Sequence, residues 1–207
     1  MNAIPDDVID HLAGVAPGSS LDEIRSRRAQ ARENAQKSFL ALFAPDTFDE
    51  MSAQERYAVA LFVSAVHGAA KPAGFYGAGL AKSGASPALA QAVSSEAAKG
   101  KTSGPYGAYP AGPLSAEDKK GLIYRASDGA RTALGLRLAA ALEHAHLLVF
   151  RPRDANPDVL QALLDAGWSS TGIVTLSQLV AFLAFQIRVV AGLQILGART
   201  GAAGKAA

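Results

Sequence analysis

The stretch SAQERYAVALFVSAVHG, residues 52–68, decides the fold because it has the pattern of a long helix covered on two sides. It opens on Ser52 with Glu55 three residues later, which is the spacing of a capping box at a helix N-terminus. An apolar stripe and a mixed stripe lie on opposite sides of the predicted helix: Val59, Phe62, Val63 and Val66, and Tyr57, Leu61, Ser64 and Gly68. We therefore expect this helix to lie in the middle of a core.

Proline, glycine and capping serines divide the rest of the chain into further helical segments, and almost nothing is typical of a strand. The predicted helices cover residues 5–15, 20–43, 52–68, 73–82, 86–100, 127–150, 157–166 and 171–196. Residues 100–118 form a loop rich in glycine, proline and tyrosine, which is either a surface crossover or a lid over a pocket. We predict an all-α fold with three parts: a helical extension over residues 1–50, a main domain over residues 51–197 and a flexible tail over residues 198–207.

Composition narrows the class of protein. Of the 207 residues, 49% are hydrophobic and 18% are charged, which is typical of a packed soluble protein. The net charge of +2 gives no basic surface for nucleic acid. The N-terminus lacks a signal-peptide pattern, so we expect a cytoplasmic protein. The apolar residues 173–196 contain Gln178 and Arg188 and have no basic flank, which favours a buried helix or an oligomer seam over a membrane span.

Two longer stretches carry a resemblance to a known family. They are SAQERYAVALFVSAVHGAAKPAGFYGAGLAKSG, residues 52–84, and DVLQALLDAGWSSTGIVTLSQLVAFLAFQIRVVAGLQILG, residues 158–197. The order ER, then SA and G, with FxxR from Phe185 to Arg188 in the last helix, resembles the carboxymuconolactone decarboxylase and alkylhydroperoxidase-D-like superfamily, in particular its peroxidase-related branch. The resemblance implies a multi-helix alkylhydroperoxidase-D-like bundle that assembles as a homo-oligomer: a dimer, trimer or hexamer.

The redox site of that family is degenerate in this sequence. Redox members carry a glutamate, two cysteines and a histidine, and those positions fall here on Tyr57, Ala69, Pro72 and Tyr76. A thiol peroxidase needs one thiolate to attack the peroxide and a second thiol to form the disulfide. Because the chain contains no cysteine, we predict that it has no thiol peroxidase activity.

Other polar residues remain candidates for chemistry. Tyr57, His67 and Tyr76 are the catalytic candidates, and Ser64 and Arg188 are the ligand-binding candidates. Arg188 lies in an apolar helix, so we expect it either to pair with a carboxylate or to reach a wet cavity and hold a substrate carboxylate.

The histidines give no metal site. His144 and His146 are two residues apart, so their rings point to different faces of a helix. A buried or interfacial role is favoured over a ligand cluster with the adjacent Glu143. We expect no metal and no cofactor.

Two functions follow from the sequence. The first is a carboxymuconolactone decarboxylase-like protein with a cysteine-free site, which binds a small molecule or acts as a structural partner of a redox-active relative. The second is a cofactor-free acid–base enzyme of the lyase or decarboxylase type, in which Arg188 holds a small carboxylated substrate. Neither involves nucleic acid or a membrane.

Overall fold

The computed structural model describes residues 4–203, with side chains described as far as Arg199. The described residues form an all-helical protein without β-strands, which confirms the predicted fold class. Its nine described α-helices are α1 (Val8–Ala13), α2 (Ser20–Ser26), α3 (Ala29–Phe43), α4 (Ala53–Val66), α5 (Ala70–Lys82), α6 (Pro87–Gly100), α7 (Asp128–Phe150), α8 (Pro157–Asp165) and α9 (Ser170–Ala203).

The described chain divides into two compact units. One contains the chain up to Asp46 together with the chain from Ala184 onward, and the other spans Thr47–Leu183. The long helix α9 contributes its first half to the second unit and its second half to the first. The domain bounds expected from the sequence, at residues 50 and 197, stay a prediction.

Helix α4 is the centre of the Thr47–Leu183 unit. It packs against α5, α6 and α7. Ser52 and Glu55 form the predicted capping box, in which the Ser52 Oγ accepts from the Glu55 N–H and the Glu55 carboxylate accepts from the Ser52 N–H. Both stripes of the helix are covered, since Phe62 and Ser64 are each fully buried.

Helix α5 begins earlier than the sequence predicted, at Ala70 instead of residue 73. Pro72 therefore lies in its first turn, where the missing N–H of a proline costs no intrahelical hydrogen bond. Residues 70–72, which precede the predicted helix, are thus helical, and Tyr76 lies on the buried face of α5.

Helix α7 is interrupted once, at Gly135. Its backbone has φ 76° and ψ 157°, a conformation available almost only to glycine. The residues after this kink form a largely buried helix that faces α4, α6 and α8.

The segment between α6 and α7 is tied to the end of α7. The Tyr106 N–H donates to the Phe150 carbonyl (2.6 Å), and Gly107 pairs with Lys119 across the segment. Arg153 lies over the Tyr109 ring at 4.1 Å and donates to its hydroxyl (2.9 Å). These contacts hold the segment in one conformation, and its role as a crossover or a lid stays open.

The turn between α8 and α9 is fixed by Trp168 and Arg137. The Trp168 Nε1–H donates to the Arg137 carbonyl (2.9 Å), and the Arg137 guanidinium stacks on the indole at 3.9 Å. Arg137 Nε also donates to the Glu55 carboxylate (2.7 Å). This network joins the start of α4 to the loop that follows α8.

One helix predicted in the unit that contains both chain ends is wrong. Residues 20–43 form two helices, α2 and α3, instead of one. The break between them accompanies a cluster in which Arg25 and Arg32 pair with three carboxylates: Asp7, Asp10 and Asp22. Helix α9 continues to Ala203, so the first residues of the predicted tail are helical, and the flexibility of the tail stays a prediction; residues 204–207 lie outside the described part of the chain.

Two helices are long and apolar enough to cross a bilayer by length and composition alone. They are Asp128–Phe150 and Ser170–Arg199, which are 56% and 39% buried over their most apolar stretch. Core helices of soluble proteins have the same length and composition. The cytoplasmic location expected from the sequence therefore stays a prediction.

Candidate functional site

A cavity of about 140 Å³ lies between α7 and α8 in the Thr47–Leu183 unit. Helix α7 lines it with residues spaced by one to four along one face, Ala140, Glu143, His144 and Leu147, and Arg151 follows directly after the helix. Helix α8 closes the opposite side with Asp158, Val159, Ala162 and Leu163, and the chain before α7 adds Tyr124 and Arg125. We call this space the α7–α8 cavity.

His144 is a deeply buried residue of the lining, with 5% of its surface exposed. Its Nε2 lies 3.3 Å from the Ser177 Oγ of α9. Its Nδ1 is buried and has no hydrogen-bond partner among the described residues. Burial lowers the pKa of His144, so the imidazole is neutral at pH 7.

The Ser177–His144 pair is not a nucleophile–base system of the triad type. In such a system a third group holds the far nitrogen of the histidine and fixes its tautomer. In the described structure the Nδ1 of His144 has no such group. A neutral imidazole with one unused nitrogen is instead suited to hydrogen-bond a bound molecule.

The negative charge of the Glu143 carboxylate is already compensated by neighbouring donors. It accepts hydrogen bonds from Arg125 Nη1 (2.7 Å), from the Ala126 N–H (3.0 Å) and from Arg131 Nη2. These bonds fix the chain before α7 against the middle of that helix. Glu143 therefore lines the cavity, but its carboxylate is not the reactive group.

Arg151 lies at the end of α7, and 12% of its side chain is exposed. Its Nη1 donates to the Asp154 carboxylate at 3.0 Å. Its Nε is buried and has no hydrogen-bond partner among the described residues. One donor of a charged group is thus unused beside the cavity.

Tyr124 is held as a donor to a buried carboxylate. Its hydroxyl donates to Glu96 at 2.7 Å, and Glu96, 1% exposed, also accepts from Lys99 and Ser127. Burial and the bond to Glu96 raise the pKa of Tyr124 well above its usual range. The phenol stays protonated, so the ring of Tyr124 lines the cavity but its hydroxyl cannot act as a base.

No family model, curated protein or solved structure matches this chain. The arrangement around the cavity is therefore the basis for a function, and the family resemblance stays a proposal.

Tyr57 and Tyr76, two of the catalytic candidates named from the sequence, lie side by side. The rings of Tyr57 and Tyr76 are 6.5 Å apart, and Tyr57 packs so closely on Gly79 that a Cβ there would lie 2.2 Å from its ring. Tyr76 and Ser64 are fully buried, and Tyr57 is half-buried. Burial raises the pKa of Tyr57, which weakens it further as a base. The functional role of these residues stays a prediction.

The remaining positions of the degenerate redox site lie at the start of α5. Ala69 precedes the helix, and Pro72 is buried in its first turn. His67 follows the last residue of α4, with its ring 6.3 Å from that of Phe150. The α7–α8 cavity has other residues in its lining.

Arg188 differs from its predicted environment. Its side chain is exposed, and its Nη1 donates to the Ala184 carbonyl one turn earlier in α9 (2.8 Å). Glu55 pairs instead with Arg137, and Glu143 pairs with Arg125 and Arg131. Pairing with a carboxylate, one of the two expectations for Arg188, does not occur among the described residues because residue 188 lies on the solvent face of α9, and its ligand-binding role stays a prediction.

The two histidines of α7 have separate surroundings, as their spacing predicted. His146 is 1% exposed, and its Nε2 lies 2.9 Å from the Gly100 carbonyl, whereas His144 faces α9 through Ser177. Within the described residues no cluster of three metal-ligating side chains occurs. The sequence favoured a buried or interfacial role for both histidines but did not predict the cavity beside His144. The available signal was the spacing of Ala140, Glu143, His144 and Leu147 along one helical face.

Proposed function

We propose that this chain is a small-molecule-binding protein whose ligand lies in the α7–α8 cavity, and that it performs no thiol chemistry. The observation that carries the proposal is the His144 ring, which lines the cavity, is 5% exposed and keeps Nδ1 without a partner among the described residues. A buried polar atom without a partner is costly in a protein that binds nothing there. A ligand that bonds to Nδ1 removes this cost.

The volume of the cavity sets the size of the ligand. At about 140 Å³ it is close to the roughly 150 Å³ cavity that holds benzene in an engineered protein interior. The apolar part of the ligand is therefore about the size of one six-membered ring. Leu147, Val159 and Leu163 supply apolar contacts for such a body.

The resemblance to the carboxymuconolactone decarboxylase and alkylhydroperoxidase-D-like superfamily is part of this proposal. It is supported by the all-helical fold and by the two motif-bearing stretches of the sequence. The absence of cysteine removes the peroxidase reaction of the redox members, so binding, or a structural role beside a redox-active relative, is what remains.

A second candidate function is a cofactor-free acid–base enzyme acting on a small carboxylated substrate. It is favoured by one observation, the buried His144 ring whose Nδ1 has no hydrogen-bond partner among the described residues, because such a nitrogen can accept a proton from a bound molecule. Tyr57 is a weaker candidate for this step since burial raises its pKa. Binding and catalysis differ in whether the bound molecule is consumed.

Filling the cavity tests the proposed site. Ala140→Leu adds three carbon atoms to the lining, and we expect it to weaken binding of ring-sized probes by at least about tenfold, because the probe and the new side chain occupy the same space. The probes are benzoate, benzamide and benzyl alcohol, and binding is measured by NMR chemical-shift titration of the whole chain.

Ala133→Leu is the matched control, since Ala133 is an exposed alanine on the same helix. It should bind every probe like the unchanged protein. If none of the three probes binds at millimolar concentration, or if Ala140→Leu binds them unaltered, the proposed site is wrong. Loss of probe signal and appearance of a product during the titration would favour the enzyme over the binding protein.

A further inference from the structure

We infer that the ligand is an organic anion whose charged group lies against Arg151, between the α7–α8 cavity and a second cavity under the loop that precedes α7. This inference rests on the proposed function and names the chemical class of the ligand. It is carried by Arg151, which lines both cavities and has an unused donor.

The second cavity, called the loop cavity here, has a volume of about 500 Å³. Its lining comes from both sides of the loop, from Gly107 to Ile123, and from the turn after α7 that contains Asp154. Arg151 is the residue shared with the lining of the α7–α8 cavity. A ligand of two parts can therefore place its ring in the smaller space and its polar end beside Arg151.

The acidic residues of the loop cavity are engaged in holding the loop. The Asp154 carboxylate accepts from the Ala108 N–H (3.1 Å) and from Arg151 Nη1 (3.0 Å). The Asp118 carboxylate accepts from the Tyr109 N–H at 2.7 Å. Their negative charge is thus partly compensated by bonds that already exist.

The basic residues of the loop cavity are not engaged in the same way. Lys119 and Lys120 are exposed, and within the described residues neither forms an ion pair. Arg151 Nε is buried without a hydrogen-bond partner among those residues. The donors left unused in this lining are therefore the ammonium groups of two lysines and the Nε–H of Arg151, whose Nη1 is already bound to Asp154.

Unused cationic donors around one space favour an anion with several acceptor oxygens. A carboxylate or a phosphate monoester can accept from Arg151 Nε and from a lysine together, and such charge-assisted bonds are stronger than bonds between neutral groups. His144 lines the smaller cavity, and its unpartnered Nδ1 can bond to a substituent of the ring. Asp158, the remaining acid in the lining, is exposed at the start of α8, where water screens it.

The test compares anions with neutral molecules of the same shape. We expect benzoate and phenyl phosphate to bind at least about tenfold more tightly than benzamide and benzyl alcohol, because only the anions form charge-assisted bonds with Arg151. Titration calorimetry or NMR titration at two salt concentrations measures this preference. The benzoate and phenyl phosphate arms show whether a carboxylate or a phosphate is preferred.

Two variants locate the anion. Arg151→Gln should reduce the affinity for the anions to that for the neutral probes. Arg151 also binds Asp154, so the double variant Lys119→Gln with Lys120→Gln provides a second reading that leaves this bond intact. We expect it to weaken anion binding by a few-fold and to reduce its salt dependence. Lys71→Gln, an exposed lysine of α5, is the control for loss of one positive charge.

The outcomes separate the two proposals. If benzamide binds as tightly as benzoate, or if Arg151→Gln and the lysine variant keep the preference for anions, the anion inference is overturned while the α7–α8 cavity remains a binding site. If no probe binds and Ala140→Leu changes nothing, both proposals fail. A preference for anions that is lost in Arg151→Gln and kept in Lys71→Gln supports the inference.

Discussion

At the scale of single residues, His144 and His146 are neutral because they are buried. Burial is the leading cause of the lowered pKa of each, and for His146 the nearby charge of Arg151 lowers it further while the bond to the Gly100 carbonyl opposes the shift. In the unfolded chain both rings titrate at a pKa of about 6.5. Protonation of either ring therefore opposes folding.

The free energy of unfolding should consequently fall in mild acid. Above pH 6.5 neither state binds these protons and the full stability is present; as the pH falls below 6.5, the unfolded chain gains protons first and stability is lost. Each histidine contributes a slope of up to about 1.4 kcal/mol per pH unit. Urea denaturation at pH 7.5 and 5.5 measures the loss, and a smaller loss is expected for His144→Gln. Equal stability at both pH values would contradict the prediction.

At the scale of elements, the kink of α7 depends on Gly135. With φ 76° and ψ 157°, its backbone lies where a side chain is strongly strained. Gly135→Ala should lower the free energy of unfolding by about 1–3 kcal/mol. Gly129→Ala, in the first turn of the same helix, meets no atom within 4 Å and should stabilise by about 0.5 kcal/mol. Thermal or urea unfolding measures both changes, and equal effects at the two glycines would refute the argument.

Most elements of this fold were predictable from local sequence. Serine caps before α4, α6 and α7 marked their starts to within a residue, because each cap satisfies N–H groups of the following turn. The break between α2 and α3 was not predictable. It has no glycine or proline, and it accompanies ion pairs of Arg25 and Arg32 with carboxylates of α1 and its neighbours, which local patterns do not contain.

The site was less predictable than the elements. Tyr57 and Tyr76 were grouped as positions of one degenerate site, and their rings lie 6.5 Å apart. The cavity depends on how α8 packs against α7, and the unused Nε of Arg151 depends on how the turn after α7 places Asp154 beside Nη1, neither of which the local sequence contains. Arg188 was expected inside, since an apolar helix gives few signs of which face is exposed.

At the scale of the whole molecule, the exposed face of α9 bears on assembly. Val174 and Ile195 are 55% and 61% exposed on a helix that contains no acidic residue. Exposed apolar side chains along one helical face are typical of contact surfaces. The homo-oligomer expected from the sequence stays a prediction, and this face is where we expect the contact.

Light scattering during gel filtration checks the assembly. We expect a multiple of the chain mass at micromolar concentration and a shift toward the monomer in Ile195→Asp, because a carboxylate buried in an apolar contact is costly. Leu114→Asp, at an exposed leucine of the loop before α7, is the control and should leave the mass unaltered. A monomer mass for the unchanged protein would remove the prediction.

Helix α8 has a consequence for how fast the cavity exchanges its contents. It is nine residues long, and among its described residues Leu163 is buried while Leu160 and Leu164 remain 43% and 41% exposed. A helix held by one buried side chain detaches more readily than the core helices around it. We expect molecules to enter and leave when α8 swings away, so that association reaches a rate ceiling set by this motion instead of rising without limit with concentration.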